Sequence, residues 1–187
     1  MRSPTLFLFL CLIALNSVSA ASLENSHYSR VDYGEVLSFV SGINSQIQIP
    51  LSELEGARIM PGLGLLVAFE DRSYFSFDVV TSDDMDYRGL DIRGWPLYLF
   101  GLKDKGDEPA GYIQELLLTK EEIIDTEISP FAIRVFDTSS GKGYWAVGNE
   151  SSFLVLVYNE QPEQISVIKT EGISEERIEK LIINGVL

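Results

Sequence analysis

From Gly34 onward the chain alternates between short apolar runs and turn residues, and the period of each run sets the element it predicts. Leu63, Leu65, Val67 and Phe69 alternate along Leu63 to Phe69, Glu70-Asp71-Arg72 breaks the run, and Phe75, Phe77 and Val79 alternate along Ser73 to Val80, with Ser76 and Asp78 opposite. Alternation at period two on both sides of a polar turn predicts a hairpin with one buried face. Val36 to Val40 and Gln46 to Ile49 form a less regular pair of strands ahead of it.

The centre of the chain changes period. Trp95 to Leu102 is dense in large apolar side chains and carries Pro96, which a first helical turn tolerates. Along Ala110 to Leu118, Ile113, Leu116 and Leu117 recur at helical spacing. Thr119-Lys120-Glu121-Glu122 has the pattern of a capping box, with Thr119 as N-cap and Glu122 at the third helical position.

The last third returns to strands. Phe131, Ile133 and Val135 alternate with Arg134, Thr138-Ser139-Ser140-Gly141 is turn chemistry, and Tyr144 to Gly148 is the next strand. Phe153 to Tyr158 is apolar on both faces, which predicts a central strand covered on both sides. Phe153, Val155 and Val157 would point one way, and Leu154, Leu156 and Tyr158 the other. Gln164 to Thr170 makes a fourth strand, and the loop before it, with Glu163, reads as tolerant of change. Ser174 then N-caps a helix over Glu175 to Ile183 with Ile178, Leu181 and Ile182 on one face and Gly185 just past its end.

This order predicts an α+β domain: an antiparallel sheet, made of an N-terminal hairpin and a C-terminal meander, with helices packed on it and a helix at the C-terminal end. No segment repeats and no linker divides the chain, so 34–187 is expected to be one domain. The order of elements resembles that of the Mog1/PsbP-like families, which include small exported bacterial proteins. That resemblance implies a binding or assembly role without catalytic residues, and it transfers no site residue.

The first residues follow a different logic. Arg2 precedes an apolar run from Leu6 to Leu15, Asn16-Ser17 ends it, and Val18-Ser19-Ala20 places small residues at the −3 and −1 positions of a cut. That layout predicts a cleavable signal peptide over 1–20, with cleavage after Ala20 or after Ala21. The run is about ten residues, too short to span a bilayer as a helix. Cys11 sits in mid-run behind Phe9 and Leu10, not after small residues at its end, so it is not placed for lipidation. Residues 21–33 are polar, read as a flexible leader, and hold the chain's one histidine, His27.

Charge and cysteine content narrow the function. The chain carries 14 basic and 28 acidic residues, a net −14. Cleavage would remove Arg2 and no acidic residue, making the mature protein more negative by one charge. Such a protein is repelled by phosphate backbones and anionic lipid, so nucleic acid is not an expected partner and no membrane anchor is expected after cleavage. Cleavage would also remove the single cysteine, Cys11. A disulfide-free exported domain fits a periplasmic or secreted bacterial protein better than an animal extracellular one.

Candidate chemistry is sparse. Nucleophilic catalysis by Ser or Cys usually needs a histidine base, and the only histidine lies in the leader. Ser140 and Lys142 share a turn, as hairpin turns routinely arrange. Gly62-Leu63-Gly64 and Ser140-Gly141-Lys142-Gly143 have letters of phosphate loops without the spacing or the following helix. Asp83, Asp84, Asp86 and Asp91 cluster around Gly89, but counted from Asp84, Arg88 and Trp95 occupy positions where a calcium loop needs oxygen ligands. Whether these aspartates bind a cation is left open, and no cofactor is expected. Asn149-Glu150-Ser151 is a glycosylation sequon on a turn. The expectation is an exported, non-enzymatic binding or assembly factor with a protein partner. The alternatives are an inhibitor or immunity-type protein for a basic effector, and a carboxylate-based or metal-dependent hydrolase.

Overall fold

The computed structural model describes residues 22–25, 34–41, 45–61, 64–104 and 106–183. The signal peptide, its cleavage residues Ala20 and Ala21, His27, Leu63 and Gly185 lie outside the described residues.

Among the described residues ten strands form two sheets: β1 (Ser22–Asn25), β2 (Val36–Ser41), β3 (Ser45–Pro50), β4 (Arg58–Pro61), β5 (Leu65–Ala68), β6 (Tyr74–Thr81), β7 (Ala132–Asp137), β8 (Gly141–Val147), β9 (Ser151–Tyr158) and β10 (Gln164–Glu171). The large sheet runs β1-β7-β8-β9-β10-β6-β5-β4, and β2 pairs with β3 in a separate two-stranded sheet. Helix α1 (Trp95–Leu99) and helix α2 (Ala110–Thr119) lie between β6 and β7, and α3 (Glu175–Ile178) continues as a π-helical turn over Glu179–Ile183. The class is α+β, as the alternation of runs predicts.

The β5–β6 hairpin forms where the polar turn falls. Asp71 accepts from the Ser73 backbone N–H at 2.9 Å and from its hydroxyl at 2.5 Å, and Arg72 takes the left-handed conformation at φ 71°. A short side chain that mimics a backbone turn suits this position.

The sheet has two covered faces, and β9 shows both. From Ser152 to Tyr158 every residue is buried. Phe153, Val155 and Val157 join a core with α1, α2, Ile92 and Ile124, whereas Leu154, Leu156 and Tyr158 join a second core with Ile178, Leu181 and Ile182. Ile47 and Ile49 of β3 complete that second core. Each fully buried side chain of this size contributes roughly 1.5–3 kcal/mol relative to exposure. Within β8, Gly143 leaves room for Phe136: a Cβ there would sit 2.2 Å from the ring. An aromatic ring laid across a strand glycine helps pin the register.

The structure corrects four expectations. The sheet is mixed, not antiparallel, because Ser22–Asn25, assigned to the leader, pair in parallel with β7. Thr119 is not an N-cap. Its backbone is helical at φ −60°, ψ −39°, its hydroxyl donates to the Glu115 carbonyl at 3.0 Å, and the helix runs on as a π-helix over Lys120–Ile128. A capping threonine needs an extended backbone, and a mid-helix one back-bonds instead. Burial of Ile124 and Ile128 carries the helix past the polar stretch. On α2 itself Tyr112 and Leu116 are buried while Leu117 and Leu118 are exposed, so the inward face is rotated from the expected one. Finally, Phe131 lies outside β7 and is exposed, while Ala132, Ile133 and Phe136 are buried. β7 lies inside the sheet, so its buried residues are not confined to one face.

Candidate functional site

A groove of about 690 Å³ opens beside α1, between Lys103 and the segment 107–109 on one side and the strands β8 and β9 on the other. Leu97, Pro109, Tyr144 and Val157 supply apolar lining, and Asp91, Arg93, Lys103, Asp107, Glu108 and Lys142 supply charge. Arg93 donates to Asp91 and, at 2.7 Å, to the Asn159 carbonyl. Lys103 donates to Glu108 at 3.1 Å and stands 5.0 Å from the centre of the Tyr98 ring, while the Tyr98 hydroxyl donates to the other Glu108 oxygen. Lys142 turns to Asp137 at 2.8 Å.

These pairings set the protonation states. The Tyr98 hydroxyl, with help from Lys103 and against the opposing effect of burial, holds the Glu108 carboxyl below the usual range. The Arg93 hydrogen bond does the same for Asp91. Burial first, then the Glu108 hydrogen bond, pushes the Tyr98 hydroxyl up, and burial pushes Tyr144 and Tyr112 up. In this arrangement Asp91 and Glu108 are ionised acceptors already engaged and the tyrosines keep their protons. Its charges compensate one another inside the protein, which suits non-covalent contact with a surface of mixed character.

The sequence-derived candidates are dispersed. Asp83 pairs with Arg88 at 2.7 Å, Asp84 accepts from the Thr81 backbone N–H at 2.8 Å and its hydroxyl at 2.7 Å, and Asp91 faces Arg93. Asp86 has φ 60°. Each of the three paired aspartates is thus taken by its own local partner, and among the described residues no three His, Cys, Asp or Glu side chains come together to hold a metal ion. Ser140 and Lys142 do not pair, since Lys142 serves Asp137. Gly64 is no open phosphate cradle: a Cβ there would meet Asp78 Oδ1 at 1.8 Å. Asn149 and Glu150 are exposed on the β8–β9 turn. Among the described residues no helix is long and apolar enough to cross a membrane.

Two further features have no signal in the sequence. Arg134 of β7 bonds Glu24 of β1 at 2.9 Å, bonds Glu175 at the start of α3, lies 3.6 Å from Glu179 and stacks on Trp145 with its guanidinium 5.2 Å from the ring centre. This one side chain ties the first strand to the last helix across more than a hundred residues of chain. The second feature is at the margins of the sheets, where Leu23 on β1, Val36 and Val40 on β2, and Ile59 and Met60 on β4 are exposed apolar residues.

No protein-family model matches the chain, and no similar curated protein or solved structure is found.

Proposed function

We propose that the protein is an exported binding or assembly factor that holds a protein partner and does not act by catalysis. The observation that carries this reading is the exposure of Leu23, Val36, Val40, Ile59 and Met60 on strands at the margins of the two sheets. Apolar side chains on an exposed strand edge favour association, and soluble proteins tolerate such edges where a partner uses them. The internally matched charges of the groove support the same reading. So does the resemblance in element order to the Mog1/PsbP-like families, whose members are largely binding factors. Export rests on the layout of Arg2, Leu6 to Leu15 and Val18-Ser19-Ala20.

Affinity capture from a cell-envelope extract tests the binding reading, with N-terminal sequencing of the recovered protein alongside. The expected results are a stoichiometric protein partner and a mature chain that begins at Ala21 or Ser22. Intact Met1 in the soluble cytoplasm would refute export. Ester, peptide or glycoside hydrolysis that disappears in Glu108→Gln, in protein that still folds, would refute the non-catalytic reading.

A further inference from the structure

Strand β4 ends the large sheet, so its outer side carries no strand among the described residues. All four of its residues are exposed. Ile59 stands opposite Val67 and Met60 opposite Leu66, which puts one apolar side chain on each face of the edge, 41% and 45% exposed. The backbone of an edge strand presents unpaired N–H and C=O groups, a template for another extended chain. Sheet margins are usually guarded by charge or proline, and here the strand has Arg58 at its start and Pro61 at its end, which leaves Ile59 and Met60 unguarded between them.

Apart from Arg58 on the strand itself, the turn that leads into this edge carries negative charge only. Glu53 and Glu55 lie in the turn that leads into β4, and the Glu70 side chain packs against Gly56 in that turn, where a Cβ would lie 3.5 Å from its carboxyl carbon. No described cation forms an ion pair with Glu53, Glu55 or Glu70, in contrast to the groove, where the cations are matched. The whole chain is net −14, which opposes a second copy of itself and favours a positively charged visitor.

We propose that β4 is the docking edge, and that its occupant is an extended, basic segment of a protein partner whose apolar side chains meet Ile59 and Met60 as it adds a strand to the sheet. This deepens the binding reading and rests on it. Main-chain hydrogen bonds would supply affinity, and Glu53, Glu55 and Glu70 would select for lysine and arginine at the ends of the segment.

The test uses a short capped peptide, a valine and threonine run flanked by lysines, titrated against the mature protein and followed by anisotropy. Controls are the same peptide with glutamates for lysines and the same peptide with alternate backbone nitrogens methylated. The expected result is binding of the first peptide only, weakened by salt. The β4 amides should exchange more slowly in the complex. Glu53→Lys, Glu55→Lys and Glu70→Lys together should lower affinity by about tenfold or more, as should Ile59→Thr with Met60→Thr, while Leu118→Thr, at an exposed position on α2, leaves it unchanged. Unaltered melting curves establish that each variant is folded. Equal binding by the methylated peptide would refute strand addition, and a concentration-dependent dimer that protects β4 would assign the edge to a second copy instead. If no peptide binds but envelope capture still yields a partner that the β4 variants retain, the docking edge is wrong and the binding reading stands.

Discussion

From Ser152 to Tyr158 every residue of β9 is buried, whereas from Arg58 to Pro61 every residue of β4 is exposed, although both strands belong to one sheet. β9 is paired antiparallel on both sides, with β8 and β10, whereas β4 is paired only with β5 among the described residues. The second difference is cover. β9 is packed by α1 and α2 on one face and by the terminal helix and β3 on the other, and among the described residues no such cover lies over β4. Stability is thus concentrated in mid-sheet, whereas the proposed docking lies at the margin, so mutations should alter one without the other.

The largest effect is expected in mid-sheet. Leu156→Ala should cost about 2–5 kcal/mol through lost transfer energy and the cavity left behind. Deleting 174–187 removes Ile178, Leu181 and Ile182 from the same core and should stop the domain folding. Chemical denaturation measures the first and circular dichroism the second. A Leu156→Ala variant as stable as the wild type would break the comparison.

Next comes the guarded edge. Arg134 is largely buried, with its side chain 15% exposed, and its loss removes charged hydrogen bonds and the cover over Trp145. Arg134→Ala should cost about 1.5–3 kcal/mol and free β1 first, seen as faster hydrogen exchange at Leu23 and Glu24 than elsewhere. Uniform exchange across the sheet would show that Arg134 does not tie β1 in particular.

Acid should loosen the margin of the groove. Asp84, Asp91 and Glu108 have depressed values in the folded protein, owing respectively to Thr81, Arg93 and Tyr98. A depressed value stabilises the fold fully above the ordinary carboxylate range, about pH 4, and the contribution is lost as pH falls through the lower folded value. Urea midpoints should therefore drop on acidification below that range, and Glu108→Gln should flatten the drop. A midpoint that does not change with acid would contradict these assignments.

Glu163 sharpens the contrast between a loop and a neutral position. Its carboxylate accepts from the Ser82 hydroxyl at 3.1 Å and from the Gly89 N–H at 3.0 Å, and Ser82 is buried. Glu163→Ala should cost about 1 kcal/mol by denaturation, more than its exposed loop position suggests. The smallest effect belongs to β4. Ile59→Thr and Met60→Thr should each stay within about 0.5 kcal/mol of wild type while weakening the basic peptide, and a large loss of stability would mean the edge is structural.

Several elements were legible because their cause is local. Alternation along Ser73 to Val80, the turn chemistry of Asp71 and the apolar run from Phe153 to Tyr158 depend on period and side-chain type, so the hairpin, the central strand and the division of its side chains between two cores follow from the residues alone. Ser174 caps its helix as its type suggests, accepting from the Arg177 N–H at 3.4 Å. Thr119 has an equally suggestive pattern and does not cap, because Ile124 and Ile128 bind the following turns to the core and the helix continues.

The sequence by itself determined the class of the fold, the position of β9 and the acidity that shapes any partner. Tertiary structure decided where β1 pairs, which carboxylates Arg134 gathers, how Tyr98, Lys103 and Glu108 meet, and which strand is left as an open edge. The physical reason is one of range. Periodicity and turn preference act over a few residues, whereas an ion pair or an uncovered edge depends on which distant segments the packing of two cores brings together, and no short stretch of chain encodes that.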